Sequence, residues 1–246
     1  MDGVEDAVDQ CPNTLFSDLV DSNGCTKKSL VSPHHFDVIA GVSYSELEYL
    51  TLNTTDTFLG TLQADYYYKK FSLQASASYF ITDGNSSNDT GLYDLLISAA
   101  YQLKPLENLS LSIGAGVILP TYTTALNNNN TDYTGSLNLN YTISKLNLFG
   151  GYSYTEINDD NVAFTEYQNT HAYSLGAGYY MTDKFYFSGA YNNSNSIYQG
   201  TKNIQTASLY GYYAISEHLF STCSYAYGLS SSASKNYMSV RLGYFF

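Results

Sequence analysis

From Phe36 onward, apolar and polar residues alternate at period two, in segments separated by short polar stretches. The clearest segment sets Phe71, Leu73, Ala75, Ala77 and Tyr79 against Ser72, Gln74, Ser76 and Ser78. A helix would mix these two rows on every face, so the segment is a strand with one oily and one wet face. The pattern recurs around Val42, Leu62, Ile113, Leu139, Leu148, Leu175, Phe187 and Tyr225, and in the row Tyr93, Leu95, Ile97, Ala99 and Tyr101. One further segment, with Ala207, Leu209 and Tyr213, leaves its facing open because Tyr210 and Tyr212 offer the opposite row. The last segment carries Met238, Val240, Leu242, Tyr244 and Phe246 on one face and Tyr237, Ser239, Arg241, Gly243 and Phe245 on the other. The sum is about twelve strands.

The connections alternate in length. Short ones are expected at Lys69-Lys70, Lys104-Pro105, Ser144-Lys145, Asp183-Lys184 and Ser216-Glu217. Longer polar ones are expected at 46–57, 81–90, 120–132, 156–168, 193–201 and 229–235. They include Asn-X-Ser/Thr triplets such as those at Asn53 and Asn85, read as loop composition. Short turns at one end and long loops at the other are the habit of transmembrane barrels.

Composition sharpens this reading. Charged residues are only 13% of the 246, with 27 Tyr and no Trp. A soluble sandwich or barrel normally covers its exposed faces with Lys and Glu, and these strands almost lack them. No apolar run approaches the ~18 residues of a membrane helix. A transmembrane barrel accounts for both facts, with an aliphatic and aromatic outer face, a neutral polar interior, and tyrosines at the interfaces. The net charge of −12 argues against nucleic acid as a partner.

The terminal strand resembles the closing strand of bacterial outer-membrane β-barrels. The resemblance implies that Tyr244 and Phe246 belong to the signal read by the barrel-assembly machinery. It also implies a Gram-negative outer membrane, with its lipid and lipopolysaccharide, as the surroundings.

The segment before the barrel has a different character. Asp2, Asp6 and Asp9 precede Cys11-Pro12, and the segment closes with Gly24-Cys25. This resembles the end of a thrombospondin type 3 repeat, as in the linkers of OmpA-like proteins. The resemblance implies calcium held by Asp2, Asp6 and Asp9, although the family's earlier aspartates have no counterpart here. A Cys11–Cys25 disulfide would suit an oxidising periplasm. Cys223 stands alone in a strand. His34 and His35 are read as linker, since neighbours in an extended chain point to opposite sides. The expected division is therefore an irregular segment at 1–33 and an all-β, antiparallel up-and-down barrel at 34–246, with the N-terminus periplasmic. No signal peptide opens the sequence, and an exported protein leads us to expect a part upstream of Met1.

No constellation carries catalysis, so the chain is read as a non-enzyme. His171 and His218 have no nucleophile motif beside them, and Asp159 and Asp160 near His171 are loop residues. The inward row carries four charges: Asp37, Asp65, Asp94 and Arg241. The first and last strands of a closed barrel are neighbours, so Arg241 is expected near Asp37 and Asp65. That cluster reads either as a staple at the seam or as a filter in a pore. Two functions follow. One is a porin-like channel for small polar solutes or ions; twelve strands leave more room than side chains need fill, although Tyr67, Phe149, Tyr180, Tyr186, Tyr210 and Phe245 point inward. The other is a plugged barrel that anchors an N-terminal module or presents adhesive loops. Solute and oligomeric state have no signature in the sequence.

Overall fold

The computed structural model describes residues 34–48, 54–84, 88–122, 130–161 and 165–246. These form thirteen strands and no helix: β1 (His34–Glu48), β2 (Thr54–Tyr68), β3 (Phe71–Gly84), β4 (Asp89–Leu92), β5 (Leu95–Leu106), β6 (Leu109–Leu119), β7 (Asp132–Ile143), β8 (Leu146–Glu156), β9 (Thr170–Tyr180), β10 (Phe185–Ser194), β11 (Ile204–Ala214), β12 (Leu219–Gly228) and β13 (Asn236–Phe245). Each strand pairs with its chain neighbours, except that β4 pairs with β3 alone and β5 pairs with β3 and β6; β13 pairs with β1, so the antiparallel sheet closes on itself. Closure leaves no free edge.

The barrel has twelve staves, because β4 and β5 share one. Both pair with β3: Tyr79 faces Leu92, and Ser76 faces Leu96. Tyr93, Asp94 and Leu95 thus oppose only Ala77 and Ser78. This is a β-bulge, which re-aims the side chains it carries. The expected outward row through Tyr93 is corrected here: Leu92 and Leu95 stay on the outer face, while Tyr93 stacks on the inward ring of Phe80 at 4.8 Å.

Three expected connections also change. Lys104 and Pro105 lie inside β5, where the pairing with β6 slips between Leu103 and Leu106, and the turn falls at 107–108. Proline has no N–H for a ladder, and a bulge accommodates it. Much of 46–57 and 81–90 is strand rather than loop. There Thr57 bonds Thr82 at 3.2 Å and the Tyr44 hydroxyl donates to Asp56 at 2.8 Å, so polar side chains satisfy one another beyond the oily band.

The outer face follows the alternation. Leu62, Leu175, Leu209, Val240 and Leu242 are among its most exposed apolar residues, with Leu175 at 71%. Aromatic residues flank this band. Phe36, Phe71, Tyr179, Tyr213 and Tyr244 lie toward the short-turn end, and Tyr79, Tyr133, Tyr173 and Tyr227 toward the long-loop end. In β11 the open facing resolves: Leu209 and Tyr213 point out, Tyr210 and Tyr212 in. Cys223 carries a free, exposed thiol and sits opposite outward Val240. A structure this oily outside and polar within is inside-out relative to a soluble protein, which is how a barrel meets lipid.

Candidate functional site

The interior wall is built from the other row. Around its middle, Asn140, Asn147, Phe149, Tyr186, Ser188 and Tyr210 line a cavity of about 360 Å³. Toward the long-loop end, Ser136, Asn138, Ser153, Ser174, Asn192 and Thr206 line another of about 320 Å³. The polar groups hold one another against the wall. Asn192 donates to Thr206 at 3.3 Å and to Ser208 at 3.0 Å, and the Tyr186 hydroxyl donates to Asn147 at 3.1 Å.

Large inward rings lie over glycines of adjacent strands. A Cβ on Gly176 would run into Phe149, one on Gly178 into Tyr186, and one on Gly243 into Phe220. Gly91 stands under Phe80 less tightly, where a Cβ would come to 3.1 Å from the ring. Because these glycines have no side chain, the rings can lie along the wall instead of projecting across the interior. Phe80 and Phe220, at 2% and 6% exposure, are among the few buried apolar residues described. Phe220 also packs on Tyr212 and Phe245, at 5.5 and 4.8 Å between ring centroids.

Toward the long-loop end aromatic rings gather. Phe80, Tyr93 and Tyr122 form a mutual ring cluster, with centroids 4.8 to 5.4 Å apart. Burial pushes the Tyr122 hydroxyl above its ordinary pKa, and Tyr93, Asp89, Tyr198 and Asp94 add to the shift. Tyr198, from the β10–β11 connection, is thus near enough to act on Tyr122. It also packs on Tyr167 of the β8–β9 connection at 5.6 Å. Burial again, then Tyr198 and Asp159, raises the Tyr167 hydroxyl. The two connections are stitched through Gln168, whose backbone N–H donates to Ile197 at 2.8 Å.

The four charged residues expected on the inner wall are placed as follows. Ring pairs His35–Tyr67 and Phe36–Tyr66 set the register of β1 against β2, putting Asp37 directly opposite Asp65. Both carboxylates are buried, at 5% and 7% exposure. Arg241 sits opposite Gly41, and its side chain runs over that glycine to reach Gln63, with Nη1 3.4 Å from Oε1. Gln63 in turn donates to Asp65 at 2.8 Å. The expected contact of Arg241 with the carboxylates is therefore replaced by a relay through Gln63. The cause is register: Asp37 and Gly41 are four residues apart on β1, about 13 Å of strand, farther than an arginine reaches. Asp94 lies in the bulge, where its Oδ1 accepts the Tyr122 backbone N–H at 2.9 Å and so holds the ring cluster in place.

His171 points to the outer face, where its Nδ1 lies 2.7 Å from the Tyr152 hydroxyl, and Asp159 accepts instead from Asn130. His218 stacks on Tyr244 at 5.9 Å, and the backbone N–H of Phe246 donates to Phe36 at 2.9 Å, so the aromatic terminus is tied to the seam. Asp2, Asp6, Asp9, Cys11, Cys25, Asn53 and Asn85 lie outside the described residues. Phe80, Phe220 and the glycines beneath the rings went unread in the sequence. Their only trace there is glycine at inward positions of strands, and its meaning depends on the partner across the ladder.

Comparison with known proteins agrees with this architecture. The crystal structure of an outer membrane channel from Pseudomonas putida F1 superposes with a TM-score of 0.69, at 13% identity, covering 89% of this chain and 97% of that one. The NanC porin superposes at 0.56, with 14% identity over 85% of this chain and 98% of its own. The KdgM porin does so at 0.52, with 12% identity over 86% and 99%. These neighbours are channels and porins rather than enzymes, and at such identities they establish the shared fold. No curated protein matches the sequence. A family model described as "Putative MetA-pathway of phenol degradation" matches residues 26–210. That span is well over half of the chain, which therefore belongs to this family and carries the fold of outer-membrane channels and porins.

Proposed function

We propose that the protein is a passive channel of the bacterial outer membrane for small polar solutes or ions, with its short-turn end and N-terminus in the periplasm. The observation that carries this reading is the interior: Ser, Asn and Thr line two cavities, and the large rings lie over glycines. Water and small hydrogen-bonding solutes suit such a lining, whereas nothing in it selects one solute. Lipid and lipopolysaccharide meet the outer face, and Tyr244 and Phe246 serve as the assembly signal. Replacing Phe246 with Ala should then lower the amount of heat-modifiable barrel in the outer membrane; an unchanged amount would remove that role.

The reach of Tyr198 toward Tyr122 favours a second reading, in which the mouth is closed and the barrel is an anchor or adhesin. Liposome swelling separates the two. A channel gives swelling in monosaccharides that slows as solute size grows, and Phe80→Ala with Tyr122→Ala should speed it by opening the mouth. No swelling, with insertion verified, supports the anchor. For the N-terminal segment, calcium at Asp2, Asp6 and Asp9 and a Cys11–Cys25 bond remain part of the proposal. Intact-mass measurement with and without reductant tests the bond, and calcium calorimetry of Asp2→Asn/Asp6→Asn/Asp9→Asn against the native chain tests the ligands.

A further inference from the structure

We infer that Asp37 and Asp65 together hold a divalent cation on the inner wall near the short-turn end. The pair is an electrostatic anomaly. Like charges directly opposite on neighbouring strands are destabilising, and burial removes the water that would soften the repulsion. Asp37 lies within the field of Asp65. Asp65 accepts one hydrogen bond, from Gln63, but Asp37 Oδ1 is buried without any hydrogen-bond partner. Buried polar atoms are rarely left this way unless an ion or water completes them.

The protein supplies little to cancel the charge. Arg241, the single arginine, is spent on Gln63. The immediate surroundings are otherwise neutral or weakly basic. His35 stacks on Tyr67 at 4.6 Å on the short-turn side, Phe245 is the β13 partner of Asp37, and Gln74 is the β3 partner of Asp65. Tyr212 is close enough for Asp37 to act on it. The two carboxylates are hard oxygen donors, and Gln74, the β3 partner of Asp65, carries an amide oxygen on the same wall, which suits a calcium-type ion that fills its remaining positions with water. The bound ion would turn a repulsive pair into a bridge between β1 and β2, beside the closing β1–β13 seam. Nothing in this assignment depends on whether the interior conducts, so its test uses another readout.

The test is tyrosine-sensitised terbium luminescence of the refolded full chain, with calcium as competitor. Residues 1–33 contain no Tyr, and the chain has no Trp, so terbium on the N-terminal aspartates gains no sensitiser from its own segment. The expected result is an emission that calcium displaces, largely lost in Asp37→Asn/Asp65→Asn. Tyr67→Phe should dim it without changing the calcium concentration at half displacement. A second readout covers poor folding of the double variant. In chelator, Asp37→Asn alone should unfold at a higher temperature than the native protein, and calcium should reverse that order. Emission equally strong and equally calcium-sensitive in Asp37→Asn/Asp65→Asn would overturn the assignment, as would a thermal order that calcium does not change.

Discussion

Leu175→Arg is expected to destabilise the refolded barrel by about 2–4 kcal/mol, the cost of placing an arginine on the lipid face at mid-bilayer. Leu175 stands near the centre of β9 and is the most exposed apolar side chain described, at 71%. On a soluble protein such a residue would already be in water, and an arginine there would change stability by roughly 0.5 kcal/mol or less. The neighbouring residue gives the control. Ser174 lines the interior cavity with Asn138 and Asn192, so Ser174→Arg should leave stability within about 1 kcal/mol of the native protein. It should instead narrow the passage and shift it toward anions. Denaturant unfolding in lipid vesicles measures the first effect and bilayer conductance the second. Equal and small stability changes at both positions would mean that the exposed row does not face lipid.

Gly176→Leu combined with Gly178→Leu should close most of the passage. The two glycines lie under Phe149 and Tyr186, and a Cβ there overlaps those rings; on Gly176 it also comes within 2.6 Å of the Gly189 carbonyl, so the backbone must give slightly at that site. The displaced rings have the cavity that they line as their open direction, because the wall behind them is backbone. Overpacking costs about 1–3 kcal/mol at each site, so the pair costs roughly 2–6 kcal/mol, within the roughly 5–15 kcal/mol of a folded domain, and the variant should still fold. Conductance should fall severalfold, and restoring room with Phe149→Ala/Tyr186→Ala should recover it. If the rescue fails while the barrel remains folded, ring position is not what sets the passage.

How legible all this was in the sequence depends on how far each inference reached along or across the chain. Period-two alternation is local, so the strands, their facings and the approximate count of staves were readable from rows such as Phe71 to Tyr79. Bulges break the rule because one extra residue inverts every facing beyond it, which is how Tyr93 was misplaced and Lys104-Pro105 mistaken for a turn. The interior charges illustrate the other limit. That Asp37, Asp65 and Arg241 face inward follows from parity. Which of them touch depends on register between β13, β1 and β2, which parity alone leaves open. The glycine and ring pairs fail to show for the same reason: Gly178 and Tyr186 meet across a ladder, where neither residue announces the other.

The most direct measurement is single-channel conductance of the refolded protein in a planar bilayer, under a salt gradient. The account predicts steady openings with a preference for cations, reflecting the acidic residues on the inner wall, and smaller openings after Gly176→Leu/Gly178→Leu. A silent bilayer containing demonstrably inserted barrels would contradict it, and the closed mouth around Tyr122 and Tyr198 would then define the molecule.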